Sequence, residues 1–216
     1  MRLRRNWKGE EALPGLPGVL QPDPALLREG WEAVFGRAAP IHVEIGSGKG
    51  GFLIASAERQ PSIDFIGVER VLTIMHTAAV KNEKSPLPNL RFLPVQAERL
   101  EDFIHPGQID RIYLNFSDPW PKNNHASRRL TARDKLRMYS RLLTPGGQIH
   151  FKTDQAHFFD YSLRVCVREG WSVGKITRDL YRSGMESNIP TEYEQRFVSL
   201  GLPIYRFEAW NAGYEW

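Results

Sequence analysis

The segment IHVEIGSGKGG (residues 41–51) joins a short apolar run to a loop that carries glycine at alternate positions. The apolar and β-branched content of its first six positions is typical of a strand that is buried on both faces. Glycines at positions 46, 48 and 50 allow the backbone to turn tightly and to approach a ligand at the carboxyl end of that strand. The segment therefore predicts a buried strand followed directly by a ligand-binding loop.

Downstream of this segment, short apolar runs alternate with longer amphipathic ones. Strands that alternate with helices indicate right-handed crossovers and a mostly parallel sheet with helices on both faces. Two further strands near 172–179 and 203–209 would complete a seven-stranded sheet. We therefore expect an α/β, Rossmann-like fold. The predicted strands are 41–46, 64–69, 90–95, 109–116 and 147–153, and the predicted helices lie near 51–59, 71–83, 132–143 and 155–169.

The chain contains no internal repeat and no low-complexity linker, so the sequence predicts a single domain over residues 1–216. The first 20 residues are rich in charge, glycine and proline, and we expect them to form a loose basic arm. Pro24 begins a short helical pattern that continues to Phe35.

Composition narrows the class of protein. Apolar residues make up 41% of the chain and charged residues 25%, which is typical of a soluble globular protein. No apolar run has the length of a membrane helix, and no apolar stretch follows the basic amino terminus as it would in a secretory signal. The single cysteine, Cys166, excludes an internal disulfide framework and a zinc cluster, which fits a cytoplasmic protein. Its apolar surroundings predict a core residue rather than a nucleophile.

The net charge is +4, and the basic residues are concentrated in two groups. Such groups favour contacts with phosphates and make binding dependent on salt, although a solvated helix face and a charged tail would give the same pattern. The first group is Arg2, Arg4, Arg5 and Lys8, and the second is Lys122, His125, Arg128, Arg129, Arg133, Lys135 and Arg137.

The glycine loop matches neither the dinucleotide spacing GxGxxG nor a P-loop, because no GK[ST] follows. Glu69 ends the second predicted strand, 23 residues after Gly46, where a carboxylate can accept from both hydroxyls of a ribose. Glu44 lies in an otherwise apolar strand, where a carboxylate needs a partner. These features fit a nucleoside or nucleotide ligand and leave other Rossmann-like nucleotide-binding proteins open. They resemble the class I S-adenosylmethionine-dependent methyltransferases.

The fourth predicted strand ends in the string NFSDPWPKNNH (residues 115–125), which SRRL (127–130) follows. The carboxyl edge of such a strand is where an open α/β sheet presents its chemistry. Two prolines on either side of Trp120 stiffen the loop, so that it loses little entropy when a substrate binds. Trp120 offers a stacking face and Asp118 a hydrogen-bond acceptor. Alternatively, Asp-Pro only begins a turn and the tryptophan only covers the core.

This string resembles the signature of the tRNA (guanine-N7)-methyltransferase family in its bacterial single-subunit form. Three later segments agree with the resemblance, which covers about residues 41–210: Lys152-Thr153-Asp154, Thr191-Glu192-Tyr193-Glu194, and GLPIY (201–205). The resemblance implies S-adenosylmethionine as cofactor and tRNA as partner, with no metal and no membrane, acting as a monomer or a homodimer.

The resemblance also implies roles for individual residues. Gln96 stands where the family usually carries Asp or Asn, and the loop Lys122-Asn123-Asn124-His125 has Asn where a basic residue is common, so we expect an altered cofactor affinity and a less positive RNA-binding surface. Asp118 would be the catalytic residue. The cofactor would bind to Glu44, Gly46, Gly48, Glu69, Gln96, Ala97 and Asp118. The tRNA or its target base would bind to Lys122, His125, Arg128, Arg129, Asp154, Thr191, Glu192, Tyr193 and Glu194.

Some alternatives stay open at this point. Thr191 and Glu194 have the spacing of a helix capping box, and Asp154 could cap the helix that follows it. The order Asp-Pro-Trp-Pro is close to the Asp/Asn-Pro-Pro-aromatic loop of exocyclic amino methyltransferases. A non-catalytic RNA-binding protein on a methyltransferase fold would also share many of these features.

Overall fold

The structure is a computed structural model in which residues 6–24, 30–185 and 188–211 are described. Its seven strands form one sheet in the order β3-β2-β1-β4-β5-β7-β6. The predicted α/β fold is confirmed. The strands are β1 (Ile41–Ile45), β2 (Asp64–Val68), β3 (Leu90–Leu93), β4 (Ile109–Asn115), β5 (Leu143–Thr153), β6 (Trp171–Thr177) and β7 (Tyr205–Asn211). The α-helices are α1 (Trp7–Ala12), α2 (Trp31–Phe35), α3 (Gly51–Arg59), α4 (Leu72–Glu83), α5 (Arg133–Leu142), α6 (Ala156–Arg168) and α7 (Glu192–Ser199).

The chain divides into two compact units, residues 1–104 and residues 105–216. In the first unit β1, β2 and β3 are parallel, with Ile41 opposite Asp64 and Phe65 opposite Leu90. Every residue of β1 and β2 is buried, as expected for parallel strands covered on both faces. The prediction of a single domain over the whole chain stays a prediction.

The amino-terminal segment differs from the expected loose arm. Residues 1–5, and with them Arg2, Arg4 and Arg5, lie outside the described residues. From Asn6 onwards the chain packs on the first unit: the Asn6 side chain caps α1, and the Thr73 hydroxyl of α4 donates to Glu10 at 2.7 Å. Phe92 of β3 donates to the Gly18 carbonyl and accepts from the Leu20 amide. This pairing between distant residues gives the segment a fixed position that its composition does not predict.

In the second unit, β4 and β5 are parallel, and β7 lies antiparallel between β5 and β6. Phe151 of β5 stacks on Phe207 of β7, with ring centroids 4.9 Å apart, and Phe159 of α6 packs against Phe207 as well. The elements predicted from residue 41 onwards are present with small shifts at their ends, and the largest of these is at β5, which begins at residue 143 rather than 147. Of the helical pattern predicted from Pro24 to Phe35, the structure shows a helix only over Trp31–Phe35, and residues 25–29 lie outside the described residues.

Cys166 is fully buried in α6, and this burial raises the pKa of its thiol to about 12. The thiol is therefore protonated and inert at neutral pH, as the sequence predicts for a core cysteine. None of the described helices is both long and apolar enough to cross a membrane. Among the described residues, no three His, Cys, Asp or Glu side chains are grouped so that they could hold a metal ion.

Candidate active site

The glycine loop after β1 has a backbone that only glycine adopts readily. Gly46, Gly48 and Gly50 have φ of 77°, 56° and 74°. A Cβ atom on Gly50 would lie 2.7 Å from the Cβ of Ala78, so this glycine also allows the loop to pass close to α4. The Ser47 hydroxyl is buried and has no hydrogen-bond partner among the described residues. A buried hydroxyl in this state favours a ligand that supplies the missing partner.

Glu69 is buried directly after β2, and its carboxylate fixes the glycine loop. One oxygen accepts from the Gly48 amide at 3.2 Å, and the other accepts from the Val71 amide at 2.9 Å. Each carboxylate oxygen has a second lone pair, so Glu69 can still accept from ribose hydroxyls. The sequence predicted the ligand role of Glu69 but not its role as an anchor of the loop.

The other predicted cofactor residues of this unit lie around the same sheet edge. Glu44 is buried within β1, between two apolar residues. Gln96 is exposed just beyond β3, where it precedes the 3-10 helix Ala97–Asp102 without making a side-chain cap. Because β1, β2 and β3 are parallel, their carboxyl ends meet at one edge, and the structure brings Glu44, Glu69 and Gln96 to that edge.

In the second unit, the loop after β4 has an unusual backbone on both sides of Asp118. Phe116 and Trp120 have φ of 51° and 40°, values that residues other than glycine rarely adopt. Phe116 donates its amide to the Lys152 carbonyl at 2.9 Å, which continues the pairing of β4 with β5. Asp118 is exposed between these two residues. The Ser117 hydroxyl is a further buried group without a partner among the described residues.

The residues of this loop for which an RNA contact was predicted differ in their exposure to solvent. Lys122 and Arg128 are exposed, and the Arg128 guanidinium lies 5.0 Å from the centre of the Trp120 ring. His125 is half-buried with its ring edge-on to Trp120. Arg129 is only 7% exposed and turns inward, where it donates to the carbonyls of Pro119 and Trp120.

Asp154 and Tyr193 lie next to each other near this loop. Asp154 is half-buried directly after β5, and Tyr193 on α7 is 48% exposed. The ring of Tyr193 lies 5.2 Å from that of Phe116 and stacks on Phe197 at 4.6 Å. Desolvation, and then the negative charge of Asp154, raise the pKa of the Tyr193 hydroxyl. The two residues therefore present an aromatic face beside a carboxylate.

The start of α7 is a capping box, as the spacing of Thr191 and Glu194 predicted. The Thr191 hydroxyl accepts from the Glu194 amide at 2.9 Å, and the Glu194 carboxylate accepts from the Thr191 amide at 3.2 Å. Between them Glu192 is exposed. The capping box orders the first turn of α7, on which Glu192 and Tyr193 stand.

Glu194 is fully buried, and its carboxylate is held by three further side chains. It pairs with the buried Lys152 at 2.6 Å and accepts from Asn188 at 2.6 Å and from Tyr181 at 3.0 Å. Burial, and then the charge of Glu194, raise the pKa of Tyr181 to about 12. Lys152 also donates to the Ile189 carbonyl. Sequence reasoning gave Lys152 no role, although its place beside Asp154 at the end of β5 was a signal.

Comparison with known proteins identifies the family to which the chain belongs. A family model described as "Putative methyltransferase" matches residues 38–207. A tRNA (guanine-N(7)-)-methyltransferase of Geobacillus thermodenitrificans is 44% identical over 209 residues, which are 97% of each chain. A protein of the same name from Streptococcus pyogenes serotype M5 is 42% identical over 97% of this chain and 99% of its own. The chain belongs to the tRNA (guanine-N7)-methyltransferase family.

Solved structures of more distant methyltransferases share the fold of this family member. The 16S rRNA methyltransferase KamB superimposes with a TM-score of 0.62 at 16% identity, over 84% of this chain and 91% of its own. A mutant 16S rRNA (adenine(1408)-N(1))-methyltransferase from Catenulisporales acidiphilia, with cosubstrate SAM, gives a TM-score of 0.64 at 16% identity, over 91% and 94%. At such identities the likeness supports the class I fold.

In this tRNA (guanine-N7)-methyltransferase family member, several residues of the predicted basic group form ion pairs within the protein. Arg133 and Arg137 of α5 both pair with the carboxylate of Glu169, at 2.9 Å and 3.0 Å. Lys135 is buried and pairs with Asp134 at 3.2 Å. Arg133 and Arg137 stay more than half exposed but share the one carboxylate of Glu169, whereas Lys122 and Arg128 are exposed and pair with no carboxylate among the described residues.

Proposed function

We propose that this protein transfers a methyl group from S-adenosylmethionine to N7 of a guanine in tRNA, and the family resemblance suggests a guanosine of the variable loop. The observation that carries the proposal is the similarity to tRNA (guanine-N(7)-)-methyltransferases at 42–44% identity over 97% of the chain. We also propose that the protein acts in the cytoplasm, where it would meet a tRNA substrate.

The residues of the first unit fit S-adenosylmethionine. The buried Ser47 hydroxyl needs a hydrogen-bond partner, and the glycine loop has no side chains at the positions where a ligand would lie closest. Glu69 would accept from the ribose hydroxyls while it keeps its bonds to the Gly48 and Val71 amides. Glu44 would pair with the amino group of the methionine part. Gln96 and the backbone of Ala97 would contact the adenine.

The chemistry needs no general base. S-adenosylmethionine supplies a methyl group on a positively charged sulfur. Guanine N7 has an in-plane lone pair and no proton at neutral pH, so it can attack the methyl carbon directly. The N7–carbon bond forms as the carbon–sulfur bond breaks, and the positive charge moves from the sulfur to the guanine ring. The protein therefore contributes mainly alignment and electrostatic stabilisation.

Residues of the second unit would hold the guanine. Asp118 is exposed on a stiff loop, and its carboxylate can accept from the N1–H or N2–H edge and stabilise the developing cation. Asp154 would act on the same edge, and Tyr193 and Glu192 would contact the RNA from the exposed first turn of α7. Lys122, His125 and Arg128 would contact phosphates around the base. A guanine in folded tRNA has to leave its stack to reach such a site.

The test is an incubation of the purified protein with labelled S-adenosylmethionine and unmodified tRNA, followed by chemical scission of the RNA at N7-methylguanosine. We expect label in the tRNA and scission at one guanine. Label in a nucleoside that resists scission would instead indicate an exocyclic amino methyltransferase. If the protein bound tRNA but not S-adenosylmethionine, it would be a non-catalytic RNA-binding protein.

A further inference from the structure

We propose that Arg129 is a positioning residue that holds the loop of residues 116–121 in the shape that presents Asp118, and that it does not bind RNA. The inference rests on the proposed function, because it concerns the loop that carries the proposed catalytic carboxylate. The proposal gives Arg129 a different role from its neighbour Arg128, which we still expect to bind a phosphate.

The loop needs an external support because its backbone is strained at two positions. Phe116 and Trp120, which lie two residues on either side of Asp118, both have a positive φ. Residues other than glycine keep such conformations only where the surrounding structure holds them. On one side, the amide of Phe116 is bonded to the Lys152 carbonyl of β5. On the other side, the support comes from Arg129.

The Arg129 guanidinium is bonded to this second side of the loop. Its Nε donates to the Pro119 carbonyl at 2.9 Å and to the Trp120 carbonyl at 3.3 Å, and one terminal nitrogen donates to the Trp120 carbonyl at 2.9 Å. The guanidinium carbon lies 4.0 Å from the centre of the Tyr161 ring on α6. The planar group thus connects two successive carbonyls next to Asp118 to a helix of the second unit.

Burial argues against a role of this residue in binding RNA. Arg129 is 7% exposed, whereas Arg128 is exposed and has its guanidinium over the Trp120 ring. Its Nε and one terminal nitrogen are already bonded to the Pro119 and Trp120 carbonyls, and its face lies over Tyr161, so little of the guanidinium is left for a phosphate. The two adjacent arginines therefore differ in exposure and in the part of Trp120 that they contact, which fits different roles.

The geometry also explains why arginine is needed. The fork of a guanidinium can reach two neighbouring carbonyls in one plane while its face stacks on Tyr161. A lysine ammonium keeps the charge, but it is a single point with no planar face. Arg129→Lys should therefore loosen the loop while it keeps the charge and most of the aliphatic packing. A small displacement of a positioned carboxylate is enough to slow catalysis strongly.

The experiment compares Arg129→Lys with Arg128→Gln in steady-state methylation of tRNA, after both variants have been checked for folding by thermal unfolding. For Arg129→Lys we expect kcat to fall by about 10- to 100-fold while the KM for tRNA stays near the wild-type value. For Arg128→Gln we expect the opposite division, with a raised KM and little change in kcat. A raised KM with an unchanged kcat in Arg129→Lys would overturn the proposal, as would wild-type values of both constants.

A rescue measurement keeps the test valid if Arg129→Lys proves unstable. In Arg129→Ala the gap next to Tyr161 should accept free guanidinium, so millimolar guanidinium chloride at constant ionic strength should raise kcat towards the wild-type value. The same salt should not restore Arg128→Ala, and sodium chloride should restore neither. Absence of rescue in a folded Arg129→Ala would overturn the proposal. The wild-type scission assay is independent of all these variants, and its failure would reject the proposed function itself.

Discussion

Asp118 is the residue on which the proposed chemistry depends most directly. Its carboxylate is exposed between the two strained residues of the loop after β4. Asp118→Asn keeps the size of the side chain and removes its negative charge. We expect kcat at saturating S-adenosylmethionine and tRNA to fall by about 100-fold, because the charge that stabilises the guanine cation is lost. Asp102→Asn, which changes an exposed carboxylate paired with Arg99, is the matched control. Near-full turnover of Asp118→Asn would show that Asp118 is not catalytic.

Individual residues also show where sequence reasoning stops. The position of Asp118 after a strand and directly before two prolines could be read from the string NFSDPWPK. The difference between Arg128 and Arg129 could not, because two adjacent arginines look equivalent in a sequence. The structure distinguishes them: Arg128 ends the 3-10 helix Asn123–Arg128, which has no buried residue, and Arg129 directly after it is buried. Cys166 was predictable because its apolar neighbours already indicated a buried position.

At the level of elements, the start of α7 depends on a buried ion pair. Lys152 of β5 and Glu194 of α7 are both buried and lie 2.6 Å apart. Lys152→Met would leave the Glu194 carboxylate buried without its cation, so we expect the free energy of unfolding to fall by about 3–5 kcal/mol. Thr191→Ala, which removes only the cap, should cost about 1 kcal/mol. Denaturant unfolding of the two variants measures both effects.

The same ion pair offers an internal control. Combining Lys152→Met with Glu194→Gln removes the cation and the anion together, and the glutamine amide can still accept from Asn188 and Tyr181. We therefore expect the double variant to be more stable than Lys152→Met alone. If the two were equally unstable, the loss would come from the packing of Lys152 rather than from an unpaired charge.

The prediction of elements succeeded where the information was local. Apolar runs bounded by glycine or polar residues located the strands, and the spacing of Thr191 and Glu194 indicated the capping box. The segment 6–20 was misjudged because its position depends on bonds of Gly18 and Leu20 to Phe92, more than 70 residues away. The ion pair of Lys152 with Glu194 was missed for the same reason. No local pattern indicates that a lysine in one strand pairs with a glutamate in a distant helix.

For the whole molecule, the distribution of charge matters more than the net value of +4. The sequence shows seven basic residues between positions 122 and 137, counting His125, and it suggests that all of them are available to RNA. In the folded chain, Arg133 and Arg137 form ion pairs with Glu169, and Lys135 and Arg129 are buried. An overall charge count therefore overstates the number of phosphate contacts that this group can make.

This distribution leads to a prediction about the salt dependence of tRNA binding. Arg128→Gln should reduce the slope of log Kd against log salt by about one, because one phosphate contact and its released counterion are lost. Arg137→Gln removes the same charge from α5, but the Arg137 guanidinium already lies 3.0 Å from the Glu169 carboxylate, so the slope should stay at the wild-type value. Both slopes can be measured by filter binding of the same tRNA over a range of salt concentrations. Equal reductions in the two variants would mean that α5 contacts the RNA and that the surface around Trp120 is only part of the binding site.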